Sequence, residues 1–171
     1  MELTTLPSDA TARAVVRHLV ATLAYRAAKV LRDVPPGFDQ TSFGDVTRKP
    51  VSIVAHMADL MAWAISVARG GFVWKPEGSA DWSTEVTRFF DNLAALDREL
   101  ASNAADGSIE KLIQGALADA LTHVGQLAML RGMAGAPVRP ESYARAEIVA
   151  GRVGIDQAPP GREFDGDASA R

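Results

Sequence analysis

The sequence predicts an all-α fold, and within that class a four-helix bundle. Three observations carry the prediction. Four segments of about 18–27 residues place apolar side chains at steps of three and four, the spacing of a single helix face. Proline and glycine punctuate the chain between those segments. Alanine is abundant and aromatics are only 6% of residues, which suits close-packed helices better than a β-sandwich. Amphipathic helices of this length bury their stripes by packing side by side.

The first helix is predicted from a cap at Ser8 or Asp9 to about Asp33. Its stripe is Ala12, Val15, Val16, Leu19, Leu23, Ala27, Val30 and Leu31, and Pro35-Pro36-Gly37 stops it. His18 falls off the stripe and reads as a surface residue. The connector, 35–49, is long for a bundle turn, and connections of this size often cross one end of a bundle. Phe38 and Phe43 are expected to pin it to the core.

Pro50 suits the first turn of a second helix running to Arg69, with the stripe Ile53, His56, Leu60, Trp63 and Val67. Gly70-Gly71 closes it. The loop 72–82 contains Trp74 and Trp82, expected to cover a core edge, with ligand contact as the alternative. The third helix starts near Asp81 or Ser83 and runs to about Ala101, burying Val86, Phe89, Phe90, Leu93, Leu96 and Leu100. A short polar turn, 103–107, leads to a fourth helix capped by Ser108 and ended by Gly135 and Pro137. Its seam is Leu112, Ala116, Asp119, His123, Leu127 and Leu130. A short fifth helix is expected at 140–150. One domain, 1–157, followed by a mobile tail, 158–171, accounts for the chain.

Composition excludes several functions. Net charge is −3 with no basic run, which argues against a nucleic-acid partner. There is no cysteine, hence no disulfide and no thiol nucleophile from the protein itself, as suits a reducing cytoplasm. The start shows no basic segment followed by an apolar one, so no signal peptide is expected. No apolar run is expected to reach the length of a membrane span. Nucleophile-elbow, phosphate-loop and dinucleotide-binding motifs are missing from the sequence.

What remains is an inward-facing polar set: His56 on the second helix, Asp119 and His123 on the fourth. A buried carboxylate is costly unless paired or metal-bound. Residues at i and i+4 share a helix face, so Asp119 and His123 can bind one ion, with His56 as third ligand from a facing helix. Two imidazoles and a carboxylate leave positions open for water or substrate. Gln126 and Asp59 are candidates to orient these ligands. The alternative is metal-free: a buried histidine bonds a carbonyl, and Asp119 pairs with Arg131, Arg17 or His56.

Two stretches resemble a known family. Val51-Ser52-Ile53-Val54-Ala55-His56-Met57-Ala58-Asp59-Leu60 is similar to the second helix of DinB/YfiT-like proteins. His123-Val124-Gly125-Gln126-Leu127-Ala128-Met129-Leu130-Arg131, continued by Gly135-Ala136-Pro137-Val138, is similar to their fourth. The resemblance keeps order and spacing across most of 8–140. It implies a four-helix bundle, often a homodimer, holding zinc, nickel or another divalent ion such as manganese or iron on three histidines. One of these lies on the second helix and two form a His-x-x-x-His pair on the fourth. Here His56 and His123 match, and the first of the pair falls on Asp119. That departure leaves a two-histidine, one-carboxylate site, a weakened one or a lost one. The resemblance implies metal-dependent transfer of a low-molecular-weight thiol to an electrophilic small molecule, or a thiol-dependent isomerisation, the activities of its characterised members. The alternatives are a metal-dependent hydrolase and a non-catalytic, dimeric, stress-associated binding protein.

Overall fold

The protein is described by a computed structural model covering residues 9–45, 47–102 and 107–164. The architecture is all-α, and no named strand occurs among the described residues. An isolated antiparallel bridge joins Glu141 and Glu163.

Helix α1 (Ala10–Leu31) starts at Asp9, whose carboxylate accepts from the Ala12 N–H at 2.8 Å. Ser8, the other candidate cap, lies outside the described residues. The helix stops two residues before the predicted end, where Asp33 takes a left-handed φ of 51°. Its last carbonyls are not left to solvent. The buried Arg131 guanidinium donates to the carbonyls of Val30, Arg32 and Asp33, and also to that of Ala136. Arg131 therefore does not pair with Asp119. Arg17, the other cation considered for Asp119, makes a bidentate pair with Asp97 at 2.9 Å.

The connector is pinned as expected. Phe38 is buried in a single 3-10 turn (Phe38–Gln40), edge-on to Phe43 at 6.1 Å and to Trp82 at 6.0 Å. Helix α2 (Pro50–Ala68) follows with proline in its first turn. It is apolar on most of its circumference because it packs on both α3 and the fourth rod. Contrary to the expectation of no such run, α2 is long and apolar enough to cross a membrane, with mean hydropathy 1.6. Within this fold, 67% of that window is buried. Helix α3 (Trp82–Ala101) begins at Asp81, which accepts from the Thr84 N–H at 2.7 Å. Trp82 thus belongs to the helix rather than to the loop.

The predicted polar turn at 103–107 lies outside the described residues except for Gly107. The Gly107 N–H donates to the Ala68 carbonyl at 3.1 Å, and a side chain there would overlap the Val67 carbonyl. Ser108 caps the fourth rod as predicted, accepting from Lys111. The rod is not one uniform helix. It runs as α4 (Ile109–Lys111), a π-helical segment (Leu112–Leu117) and α5 (Ala118–Met133). The Ala118 N–H reaches back five residues to the Ile113 carbonyl. Helices α1 and α2 each pack against both α3 and this rod.

The predicted fifth helix does not form. Residues 140–150 hold only a 3-10 turn (Tyr143–Arg145). Pairing with residues 162–164 takes the backbone instead: Ser142 N–H donates to Arg162, and Phe164 N–H to Pro140. Lys29 clamps Glu141 and Glu163 at 2.7 Å each, and the Tyr25 hydroxyl donates to Glu141. The first part of the predicted mobile tail is therefore docked on α1, while residues 165–171 lie outside the described set.

The loop 70–81 is tied down by a second polar network. Arg88 bridges Asp59 (2.6 Å), Glu85 (2.8 Å from Nε) and the Ala55 carbonyl (3.0 Å). The Glu77 N–H donates to Asp59 and the Ser79 N–H to Glu85. Burial alone would raise the Glu85 carboxyl, but hydrogen bonds from Ser79 and Arg88 hold it below its ordinary value. A depressed carboxyl contributes stability that is complete above the unfolded-state value and is lost as pH falls through the folded one. Arg88→Met is expected to cost about 3–5 kcal/mol at pH 7, since it strands two buried carboxylates. Denaturant unfolding across pH checks this. Wild type loses its advantage over the variant as pH drops below the ordinary carboxylate range.

Candidate metal centre

His56 projects from the second turn of α2, and Asp119 and His123 from the start of α5. The structure brings all three together. His56 Nε2 lies 3.4 Å from Asp119 Oδ2, and His123 Nε2 lies 3.4 Å from Asp119 Oδ1. One donor atom from each falls within 4.8 Å of the others. The two imidazole rings stand perpendicular, with centroids 5.0 Å apart.

Asp119 is not in the core, as an unbroken 3.6-residue period would place it. Its side chain is 45% exposed. The π segment is wound more loosely than an α-helix and shifts the register that follows it. The buried seam passes through Ala116, Ala120, Val124 and Leu127, with His123 also buried and Asp119 at its edge. Gly115, inside the segment, faces the Trp63 ring, which a side chain would strike at 2.8 Å. The cluster therefore sits on the rim between α2 and α5, open on one side.

The protonation pattern suits ligation. Gln126 Oε1 lies 2.8 Å from His123 Nδ1. An amide oxygen only accepts, so this contact takes its proton from Nδ1 and leaves Nε2 as the nitrogen that faces Asp119. Burial lowers the His56 pKa, helped by the nearby charges of His123 and Arg48, and this outweighs the hydrogen bond to Asp119. His56 is therefore a neutral imidazole at pH 7. The 3.4 Å separations exceed the ~2.7–3.2 Å of a good N–H···O hydrogen bond. They match the spacing of about 3.4 Å between two ligands that each lie ~2.0–2.1 Å from a tetrahedral zinc ion. One donor atom from each of the three side chains is placed so that the group could hold a divalent ion.

Asp59, predicted to flank His56, is spent on Arg88 and Glu77 and takes no part. Gln126 makes the expected contact with His123. The third histidine, His18, is exposed on α1. The two loop tryptophans divide between the two expectations, and Thr47 and Arg48 were not anticipated. Trp74 lies with its ring centroid 5.8 Å from that of His56, so it borders the site while Trp82 covers the core. Thr47 and Arg48 form the lip of a cleft of about 530 Å³ over the cluster, walled by Ile53, Met129 and Leu130. Beside it Leu60, Trp63, Phe72 and Trp74 line a smaller apolar basin of about 260 Å³.

Comparison with protein-family models, with curated proteins and with solved structures finds no match to this chain. The assignment of the site therefore rests on its geometry.

Gln126→Leu removes the acceptor that fixes the His123 tautomer while sparing the three ligands. It is expected to weaken zinc affinity about 10-fold or more, measured by competition with a chromophoric chelator, with little change in metal-free melting temperature.

Proposed function

We propose that this chain is a divalent-metal enzyme of the DinB/YfiT type, its four helical rods packed as a bundle and its ion held by His56, Asp119 and His123. The observation that carries the reading is the convergence of three side-chain donors at ligand spacing, with His123 oriented by Gln126. The resemblance of the two helix motifs supports His56 and His123, while Asp119 stands where that family has a histidine. Zinc and nickel suit two imidazoles and one carboxylate; manganese and iron are the other candidates.

The reaction we propose is transfer of a low-molecular-weight thiol to an electrophilic small molecule. A divalent ion held here would supply Lewis acidity that lowers the pKa of a thiol brought to it, its proton passing to water, and the sulfur would then add to an electrophilic carbon or displace a leaving group from it. The chain has no cysteine, so the sulfur must come from a cosubstrate. His56, Asp119 and His123, which line an open cleft, would hold the ion. Trp74 narrows the approach beside His56. The apolar basin under Phe72 and Trp74 offers a place for the body of an electrophile. A cytoplasmic homodimer belongs to the same proposal. The competing reading is a non-catalytic bundle in which Asp119 bridges two histidines as a structural network, and it too is compatible with the 3.4 Å contacts.

Elemental analysis is expected to find about one divalent ion per chain, lost in His123→Ala. Chelator should lower the wild-type melting temperature towards that of Asp119→Asn and leave the variant's unchanged. A protein that takes up no zinc, nickel or manganese on loading overturns the metal reading. Destabilisation by Asp119→Asn that ignores chelator identifies the structural network.

A further inference from the structure

We infer that the small molecule taken by this centre carries a carboxylate, and that Arg48 holds it. The inference rests on the metal reading of His56, Asp119 and His123. Arg48 lies on the lip of the cleft above that cluster. It is exposed, and it makes no hydrogen bond or ion pair among the described residues. The other arginines near the site are committed: Arg88 to Asp59 and Glu85, and Arg131 to backbone carbonyls.

The charge balance of the cleft gives Arg48 its meaning. Among the lining residues Arg48 is the one fixed cation and Asp119 the one anion. A divalent ion on Asp119 leaves one net positive charge at the floor, and Arg48 adds another at the lip. Nothing else in the lining neutralises them; Ile53, Met129 and Leu130 are apolar, and Met129 is 61% exposed. A thiolate on the ion would compensate the charge at the floor and leave that of Arg48 unmatched. A carboxylate compensates it, and guanidinium is the side chain whose planar fork matches a carboxylate with two parallel hydrogen bonds. The backbone that presents Arg48 is anchored on both sides. Thr47 N–H closes a turn on the Gly44 carbonyl, and Lys49 leads directly into Pro50 at the start of α2. The cleft, at about 530 Å³, has room for a compact organic acid with an apolar body along Met129.

The test uses the full chain loaded with cobalt(II), read by the near-ultraviolet thiolate-to-cobalt band. Mercaptoacetate, 2-mercaptoethanol and cysteamine are titrated as anionic, neutral and cationic probes of similar size. Mercaptoacetate is expected to bind about tenfold tighter than 2-mercaptoethanol at low ionic strength, with the gap closing as salt screens the exposed arginine. Arg48→Ala should abolish the preference while leaving cobalt content and 2-mercaptoethanol affinity unchanged, and Arg48→Lys should retain part of it. Equal affinities in wild type overturn the inference and leave the metal centre standing. A preference that survives Arg48→Ala also overturns it, since the carboxylate is then chelating the ion. A wild-type chain that holds no cobalt removes the metal reading itself, and this inference with it.

Discussion

The contact between Trp63 and Gly115 governs the rest of the candidate site. The indole of α2 lies where a side chain on the fourth rod would have to go, and glycine is what lets the two backbones approach. At that point the rod is wound as a π segment, and α5 resumes with a shifted face. A uniform α-helix would aim Asp119 into the core beside His123. In the observed winding both residues follow the π segment on α5, with His123 buried and Asp119 at the rim. The desolvation that a core carboxylate would suffer is thereby avoided. The same placement leaves the carboxylate near two imidazoles and within reach of solvent and small molecules.

Two polar groups of the molecule illustrate how structure and function divide. Around Arg88, every buried charge is met. Asp59 and Glu85 accept from the guanidinium and from loop N–H groups, which fastens the Trp74 loop to α2 and α3. Such a network fixes a conformation and offers nothing to a ligand. Around Asp119 the contacts are longer and one face is open. There the donors converge on an open side, in a group that could hold an ion. The satisfied network supports this group, because it holds the loop that sets Trp74 beside His56.

The ends of the fold serve the same geometry. Arg131 ties the last turn of α1 to the end of α5 through four carbonyls, and Lys29 binds the C-terminal segment back to α1 through Glu141 and Glu163. These clamps hold the frame in which α2 and α5 present their side chains. The connector is held by Phe38 and Phe43 and carries Thr47 and Arg48 over the cleft.

Much of this was legible in the amino-acid order. Helical periodicity, caps at Asp9, Asp81 and Ser108, proline at the start of α2 and glycine after α5 are local properties, and each element begins or ends within a few residues of where they place it. The convergence of His56, Asp119 and His123 followed from spacing on facing helices, as did the contact of Gln126 with His123. What tertiary structure alone decided depends on contacts between distant residues. The register of α5 turns on Trp63 meeting Gly115, 52 positions away in sequence. Asp59 points to Arg88 because α3 lies on that side of α2. Residues 140–150 pair with 162–164 instead of coiling, because Lys29 on α1 neutralises the two glutamates brought together there. Arg48 reaches the site only through the path of the connector, and no local pattern encodes that path. Periodicity reports which face of a helix is apolar, but it does not report where that face is twisted or what crosses over it.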